Sequence, residues 1–253
     1  MKRFILTLTT IFICTIAYAH TINWYVGNTI LETTTCDSGE SITPPTAPYK
    51  YGYHFVKWVE YIPIEYLEST GTQYIDTGVV ANNDSGIDIL FYTIRKNSDN
   101  FIMVQDNSFA FGISQGMSDQ SNNFLIKAGA NSIYWIIRSF YGEGSGIYRF
   151  FINKQNASIY ATDGSNVSHI FPRSNYETNL NFILFALNTG SVVPCKNTKI
   201  YSCKLYDNDV LVRDFIPVLD KDGTPCMYDK VEKKFYYNAG TGQFIAGPVI
   251  GGE

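Results

Sequence analysis

Carboxyl groups are the side chains of this sequence best suited to catalysis, since two of them can act as acid and base on one bond. Asp84 and Asp88 are the nearest candidate for such a pair, but a glycine lies between them, a pattern typical of a turn followed by a strand edge. Glu60, Glu65 and Glu68 form a second group, which as solvated charges in a linker needs no further role. The sequence therefore favours a non-catalytic protein, with an unfamiliar arrangement of carboxylates as the alternative.

Two groups of oxygen ligands could serve a metal ion, an acidic turn at Asp220 and a second group of Asp119 with Asn122 and Asn123. Asp220 and Asp222 precede Gly223 in an Asp-x-Asp-Gly sequence, which offers the oxygen ligands that calcium prefers. The same residue types favour a hairpin turn without any metal, and the distal glutamate of an EF-hand loop is missing. We expect no cofactor, with calcium at Asp220 and Asp222 as the alternative.

Aromatic residues in polar loops indicate a different chemistry, the binding of sugars. Aromatic rings stack on the apolar faces of sugars, while amides and charged groups bond their hydroxyls. The predicted ligand-binding residues lie in or beside the loops between residues 115 and 178, and they are Trp135, Tyr141, Asn122, Asn123, Arg173 and Tyr176. Because the chain has 19 Tyr and 17 Phe, a place in an aromatic core is the alternative for each ring.

The first nineteen residues are typical of a secretory signal peptide. Lys2 and Arg3 precede an apolar run over residues 4–17, and Ala17 and Ala19 form a small-x-small cleavage site. The run is shorter than the roughly 20 residues that span a bilayer. We therefore predict an exported protein that is secreted, associated with the cell surface or periplasmic, with no membrane span after signal removal. The net charge of −4 argues against nucleic acid as a partner.

Cysteine usage fits an oxidising compartment without fixing any pair. Four of the five cysteines lie after residue 19, and four cysteines allow three connectivities. Cys203 and Cys226 fall in neighbouring predicted strands, so they could meet across a sheet as a disulfide. Two buried free thiols are the alternative.

The elements that must position these residues are short β-strands, since many runs rich in Tyr, Phe, Ile and Val alternate with polar turns. The best-patterned stretch, residues 199–247, predicts an antiparallel meander, in which Tyr201, Cys203 and Leu205 share one side of a strand. Its turns are predicted at residues 207–209, 220–223, 230–233 and 238–242. The meander identifies a sandwich or barrel, and we assign binding to the loops of residues 115–178 instead.

Residues 20–60 form a predicted small unit of their own, after the signal peptide at residues 1–19. Two strand-like runs, residues 21–26 and 29–35, flank a Gly-Asn pair suited to a hairpin turn. A proline-rich connector leads into an aromatic run through Pro45, Thr46, Ala47, Pro48, Gly52, Tyr53, Phe55 and Trp58. This pattern resembles the β-grasp-like Listeria-Bacteroides (internalin B-type) repeats, and the resemblance implies a spacer or an adhesive stalk.

Residues 61–253 form the predicted main domain. The domain opens with EYLESTGTQYIDTG at residues 65–78 and closes with KLYD at residues 204–207 and VRDFIP at residues 212–217. These motifs resemble the concanavalin A-like lectin/glucanase (laminin G-like) domains of secreted and phage-encoded proteins of gut bacteria. The resemblance implies an antiparallel jelly-roll sandwich from a superfamily of lectins, glucanases and adhesion modules. Laminarinase-type relatives carry Glu-x-Asp-x-x-Glu on one strand, and no such run exists in this sequence.

The sequence thus predicts an all-β protein, a concanavalin A-like jelly roll behind a small β-grasp-like unit. The predicted function is that of an exported binding or adhesion module, whose partner is a glycan or a component of the cell surface or envelope. A glycan hydrolase or lyase is one alternative. A structural or protein-binding domain of the envelope is the other.

Overall fold

The structure is a computed structural model that describes residues 20–26, 29–37, 40–49, 51, 61–94, 100–115, 124–130, 134–137, 146–154, 156–172 and 177–250. Every regular element within these residues is a β-strand, and none is a helix. The predicted all-β fold class is therefore confirmed.

Short strands follow one another along the whole described chain. They are β1 (His20–Val26), β2 (Thr29–Cys36), β3 (Ile62–Pro63), β4 (Leu67–Thr70), β5 (Ile75–Val80), β6 (Ser85–Thr93), β7 (Asn100–Gln105), β8 (Phe109–Gln115), β9 (Phe124–Ala130), β10 (Tyr134–Ile137), β11 (Gly146–Asn153), β12 (Asn156–Ala161), β13 (Asn166–Ile170), β14 (Asn181–Leu184), β15 (Ala186–Asn188), β16 (Val192–Pro194), β17 (Lys196–Asp207), β18 (Val210–Leu219), β19 (Pro225–Asp229), β20 (Lys234–Tyr236) and β21 (Ile245–Ala246).

The chain divides into two compact units, residues 1–59 with 251–253 and residues 60–250. In the first unit, β1 and β2 pair as an antiparallel hairpin. The indole N–H of Trp24 donates to Thr34 Oγ1 across this hairpin at 2.9 Å. The two strands predicted for this unit are confirmed, whereas their turn at residues 27–28 and the run from Gly52 to Trp58 lie outside the described residues.

The second unit contains two sheets. Neighbouring strands of the large sheet run in the order β13–β12–β11–β6–β17–β18–β19–β20, with β4 beside β17, β21 beside β4, and β3 beside β18. The small sheet runs β10–β9–β8–β7–β14–β5, with β15 beside β7 and β16 beside β15. Because β17 to β20 are consecutive antiparallel neighbours, the predicted meander is confirmed.

An aromatic core joins the two sheets into a sandwich. Phe91 of β6 stacks on Phe101 of β7 with ring centroids 4.3 Å apart, and Phe124 of β9 meets Tyr148 of β11 at 5.0 Å. Phe91 and Phe101 are fully buried, and truncating such a ring to alanine typically costs about 3–5 kcal/mol. The β-sandwich is thus held by residues of both sheets.

Residues from the two ends of the unit lock together at one corner, which we call the clasp, formed by residues 72–74 and 238–241. Thr72 donates its hydroxyl to the carbonyl of Thr241 at 2.8 Å, and the Tyr74 N–H donates to Asn238 Oδ1 at 3.1 Å. Gly240 lies so close that a Cβ there would stand 1.9 Å from the Thr72 carbonyl oxygen. Much of the opening motif of the domain therefore serves to close the sandwich.

A β-bulge corrects one detail of the predicted strand pattern. The pairing of β17 with β6 shifts between Ile200 and Ser202, so strict alternation breaks at Tyr201. Cys203 stays in the core, whereas the Tyr201 ring packs against Tyr66 at 5.6 Å. Tyr201 and Cys203 do not share one side of the strand as predicted.

The disulfide considered between Cys203 and Cys226 is not formed, and both thiols are free and fully buried. Cys203 lies opposite Phe215 of β18, and Cys226 lies opposite Val218 of the same strand. Because Phe215 and Val218 are three positions apart, their side chains point to opposite faces of the sheet. The structure therefore shows the alternative that the sequence left open, two buried free thiols.

Candidate functional site

Only one of the six predicted ligand-binding residues lies within the described chain. Trp135 of β10 is half-buried, packs against the core and stacks on His169 of β13 with ring centroids 5.1 Å apart. Its ring thus joins edge strands of the two sheets, which is the core role weighed as the alternative. The other predicted binding residues lie outside the described residues, and they are Tyr141, Asn122, Asn123, Arg173 and Tyr176.

The acidic turn of the meander is held by hydrogen bonds of its own. Asp220 accepts the N–H groups of Asp222 and Thr224 at 2.9 and 2.8 Å, and the Tyr237 hydroxyl at 3.0 Å. Burial acts to raise the pKa of Asp220, but these hydrogen bonds outweigh it and lower the pKa. Within the described residues, no three His, Cys, Asp or Glu side chains lie close enough together to hold a metal ion. The carboxylate of Asp220 therefore organises a hairpin turn, the interpretation weighed above against calcium binding.

Arg213 and Asp214 do not form a pair. Arg213 Nη1 lies 2.8 Å from Glu232, and its Nε donates to the Thr77 carbonyl at 3.2 Å. Asp214 pairs with Lys230 at 2.9 Å. Both residues therefore stabilise contacts between neighbouring strands and turns. The remaining candidate for a binding surface is the exposed face of the sheet.

The candidate site is the outer face of the large sheet, meaning the side of β17, β6, β11, β12 and β13 opposite the core. It arises because Ile87, Ile89 and Phe91 point inward, so the alternate residues of β6 point outward. Cross-strand register then sets outward residues of neighbouring strands side by side. The outward side chains that matter most are Asp88, Tyr92, Arg149, Lys199, Lys204 and Tyr206.

One end of this face carries a cluster of tyrosines around a lysine. Lys199 of β17 pairs with Glu68 of β4 on one side and with Tyr92 of β6 on the other. Its Nζ lies 4.1 Å from the ring centroid of Tyr66 and 5.5 Å from that of Tyr92. Tyr201 packs against Tyr66. Burial acts to lower the pKa of Lys199, but the hydrogen bond with Tyr66 and the charge of Glu68 outweigh it and raise the pKa. The rings are thereby held half-exposed by a cation that stays charged.

The middle of the face is crossed by a bidentate ion pair. Arg149 of β11 donates from Nε and Nη2 to the two oxygens of Asp88 at 2.7 and 2.6 Å. These hydrogen bonds raise the pKa of Arg149. Tyr160 of β12 lies opposite Arg149, is 42% exposed, and extends the aromatic surface toward the sheet edge. Asp88, considered above for catalysis, thus has both oxygens occupied.

Rings and charged groups held on the strands of one sheet can bind an extended ligand without reordering loops. Sequence reasoning missed this surface because it assigned the aromatic residues of β17 to strand formation. The sequence signal for this surface is the succession of lysines and tyrosines Lys199, Tyr201, Lys204 and Tyr206 in β17. Only the bulge, however, brings Tyr201 onto the outer side of the sheet.

Comparisons with known proteins add no family: no protein-family model matches the chain, and no curated protein matches it. The described residues also contain no helix with the length and apolar character that crossing a membrane requires.

Proposed function

We propose that this chain is an exported, non-catalytic binding or adhesion module that recognises carbohydrate through the outer face of its large sheet. The observation that carries the proposal is the set of half-exposed tyrosines, Tyr66, Tyr92 and Tyr201, held in place around Lys199. The signal-like leader supports export, to the medium, the cell surface or the periplasm. The resemblance to concanavalin A-like jelly rolls and to internalin B-type repeats agrees with an adhesive role.

Sugar recognition suits this face for a physical reason. A pyranose ring has an apolar side that packs on a tyrosine ring, and its hydroxyls need donors and acceptors within reach. The face supplies rings and polar groups at the fixed spacing of neighbouring strands, about 4.8 Å. Because strands already hold these side chains, little conformational entropy is lost on binding.

The charges of the face support binding rather than hydrolysis. An acid–base mechanism needs one carboxyl group to donate a proton and a second to act opposite it. Asp88 is the carboxylate in the middle of the face, and both its oxygens accept hydrogen bonds from Arg149. It therefore serves to orient a guanidinium beside the tyrosines.

A glycan array probed with the full chain tests the proposal. We expect binding above background to a defined set of glycans. Tyr160→Ala should weaken it about two- to twelvefold, since one aromatic contact contributes about 0.5–1.5 kcal/mol. Tyr49→Ala is the matched control, because Tyr49 is 87% exposed and lies in the other unit.

The rival functions give different results. No binding to any glycan or cell-wall fraction would refute the proposal. Capture of a defined protein partner, insensitive to competing sugars, would favour the structural or protein-binding alternative. Release of reducing ends from mixed polysaccharides would favour the enzyme.

A further inference from the structure

One lysine in the middle of the outer face has no acidic partner. Lys204 lies opposite Asp88 of β6 and Asp214 of β18. Each of these carboxylates is engaged elsewhere, Asp88 by Arg149 at 2.6 Å and Asp214 by Lys230 at 2.9 Å. Lys204 itself makes no ion pair and no side-chain hydrogen bond with any of the described residues. Its ammonium is therefore available to a ligand.

Two hydroxyl groups stand beside this ammonium. Ser202 and Tyr206 are the outward residues on either side of Lys204 in β17, and alternate residues of a strand are about 7 Å apart. Both are half-buried, and neither hydroxyl has a hydrogen-bond partner among the described side chains. The three groups form a row of available donors along one strand.

The surrounding charge favours an anion. On and beside this stretch of β17, β6 and β11, four cations stand among three carboxylates, and each carboxylate is paired: Asp88 with Arg149, Glu68 with Lys199 and Asp214 with Lys230. Lys204 is the cation in excess. The whole chain has a net charge of −4, so this positive excess is local. Opposite charge on a ligand is what such a patch complements.

We propose that the outer face recognises an acidic polysaccharide, a polymer of uronic acid in which one carboxylate pairs with Lys204, while the hydroxyls of Ser202 and Tyr206 bond other oxygens along the same sugar chain. The inference rests on the proposed function and names its substrate class. A sugar carboxylate is preferred over a sulfate ester because the carboxylate is the more basic anion and the stronger hydrogen-bond acceptor. The neighbouring tyrosines then contact the apolar side of the same sugar chain.

Matched polymers separate charge from sugar binding. Polygalacturonate oligomers and the same oligomers with methyl-esterified carboxyl groups differ only in the anion, and dextran sulfate supplies a sulfated competitor. Calorimetry with the full chain should give about tenfold tighter binding of the free acid than of the ester, since a hydrogen bond to a charged group is among the stronger ones. The preference should shrink as salt is added.

Two lysine variants test the residue. Lys204→Met should remove the preference for the free acid over the ester, while Lys204→Arg should retain it. Lys221→Met is the matched control, since Lys221 is 82% exposed and paired with Asp222 in a remote turn. We expect no change from this control.

Each outcome decides between the two proposals. Equal affinity for acid and ester, an unchanged preference in Lys204→Met, or tighter binding of dextran sulfate would overturn the uronate assignment and leave carbohydrate binding intact. Absence of binding to every glycan would overturn both. If Lys204→Met does not fold, the comparison of acid with ester on the unaltered chain decides the question alone.

Discussion

Replacing Gly240 with alanine should open the clasp and destabilise the sandwich. The new Cβ would stand 1.9 Å from the carbonyl oxygen of Thr72, whereas real Cβ contacts do not fall under 3.0 Å, so the two backbone segments must separate by roughly 1 Å. This displacement strains the hydrogen bond from the Thr241 N–H to the Thr72 carbonyl, 3.1 Å, and that from the Thr72 hydroxyl to the Thr241 carbonyl, 2.8 Å.

The magnitude follows from these two effects. Overpacking costs about 1–3 kcal/mol, and each hydrogen bond weakened adds up to about 1 kcal/mol. We expect Gly240→Ala to lower the free energy of unfolding by about 2–5 kcal/mol, a large part of the roughly 5–15 kcal/mol of a typical domain.

Urea unfolding followed by circular dichroism measures this change. Gly146→Ala is the matched control, because a Cβ at Gly146 meets nothing closer than 3.6 Å. The control should change the free energy of unfolding by less than about 1 kcal/mol. Equal midpoints for the two variants would refute the role of the clasp.

Three further predictions concern buried polar groups. Asp220→Asn should destabilise the protein at neutral pH, because folding lowers the pKa of Asp220 and its carboxylate therefore stabilises the folded state. This stabilisation is fully present above the pKa of Asp220 in the unfolded chain and is lost as the pH falls through its pKa in the folded protein. Thermal unfolding from about pH 7 to pH 2 should show the stability difference between variant and parent shrinking, and a constant difference would contradict the linkage. Arg213→Met should lower the free energy of unfolding in urea by about 3–5 kcal/mol, because it leaves the fully buried Asp229 without the guanidinium that lies 3.7 Å away. A decrease of less than about 1 kcal/mol would mean that water replaces the cation. Cys203 and Cys226 should react with a thiol reagent only after denaturation, since both are fully buried. Burial also raises the pKa of both thiols, that of Cys226 to about 12. A disulfide-linked peptide containing both cysteines in a non-reduced digest would contradict their placement on opposite faces of the sheet.

The core and the meander could be predicted from the sequence because both depend on local pattern. Residues 199–247 alternate between strand formers and turn residues, and each turn shown by the structure falls where Asp, Asn, Gly or Lys clusters stand. The alternation of Ile87, Ile89 and Phe91 likewise fixes which side of β6 meets the core. Such patterns extend over a few residues, so one sequence is sufficient to recognise them.

The partners of individual side chains depend on distant residues. The bulge at Tyr201 breaks the alternation because β17 pairs with β6, more than a hundred positions earlier, in a shifted register. Cys226 likewise lies on the face opposite Cys203 because the register pairs these cysteines with Val218 and Phe215, which are three positions apart on β18. Neither the bulge nor the exact register between these strands is marked in the residues concerned.

By itself the sequence determined the all-β class, the order of the strands in the meander and the supply of tyrosines, because these follow from composition and short-range periodicity. Only the tertiary structure decided which tyrosines stand together on the outer face and that Lys204 has no ion-pair partner among the residues that the structure describes. The register of the strands determines which charged side chains meet, because it brings Arg149 to Asp88 and Lys230 to Asp214. Both carboxylates near Lys204 are thereby paired with other cations.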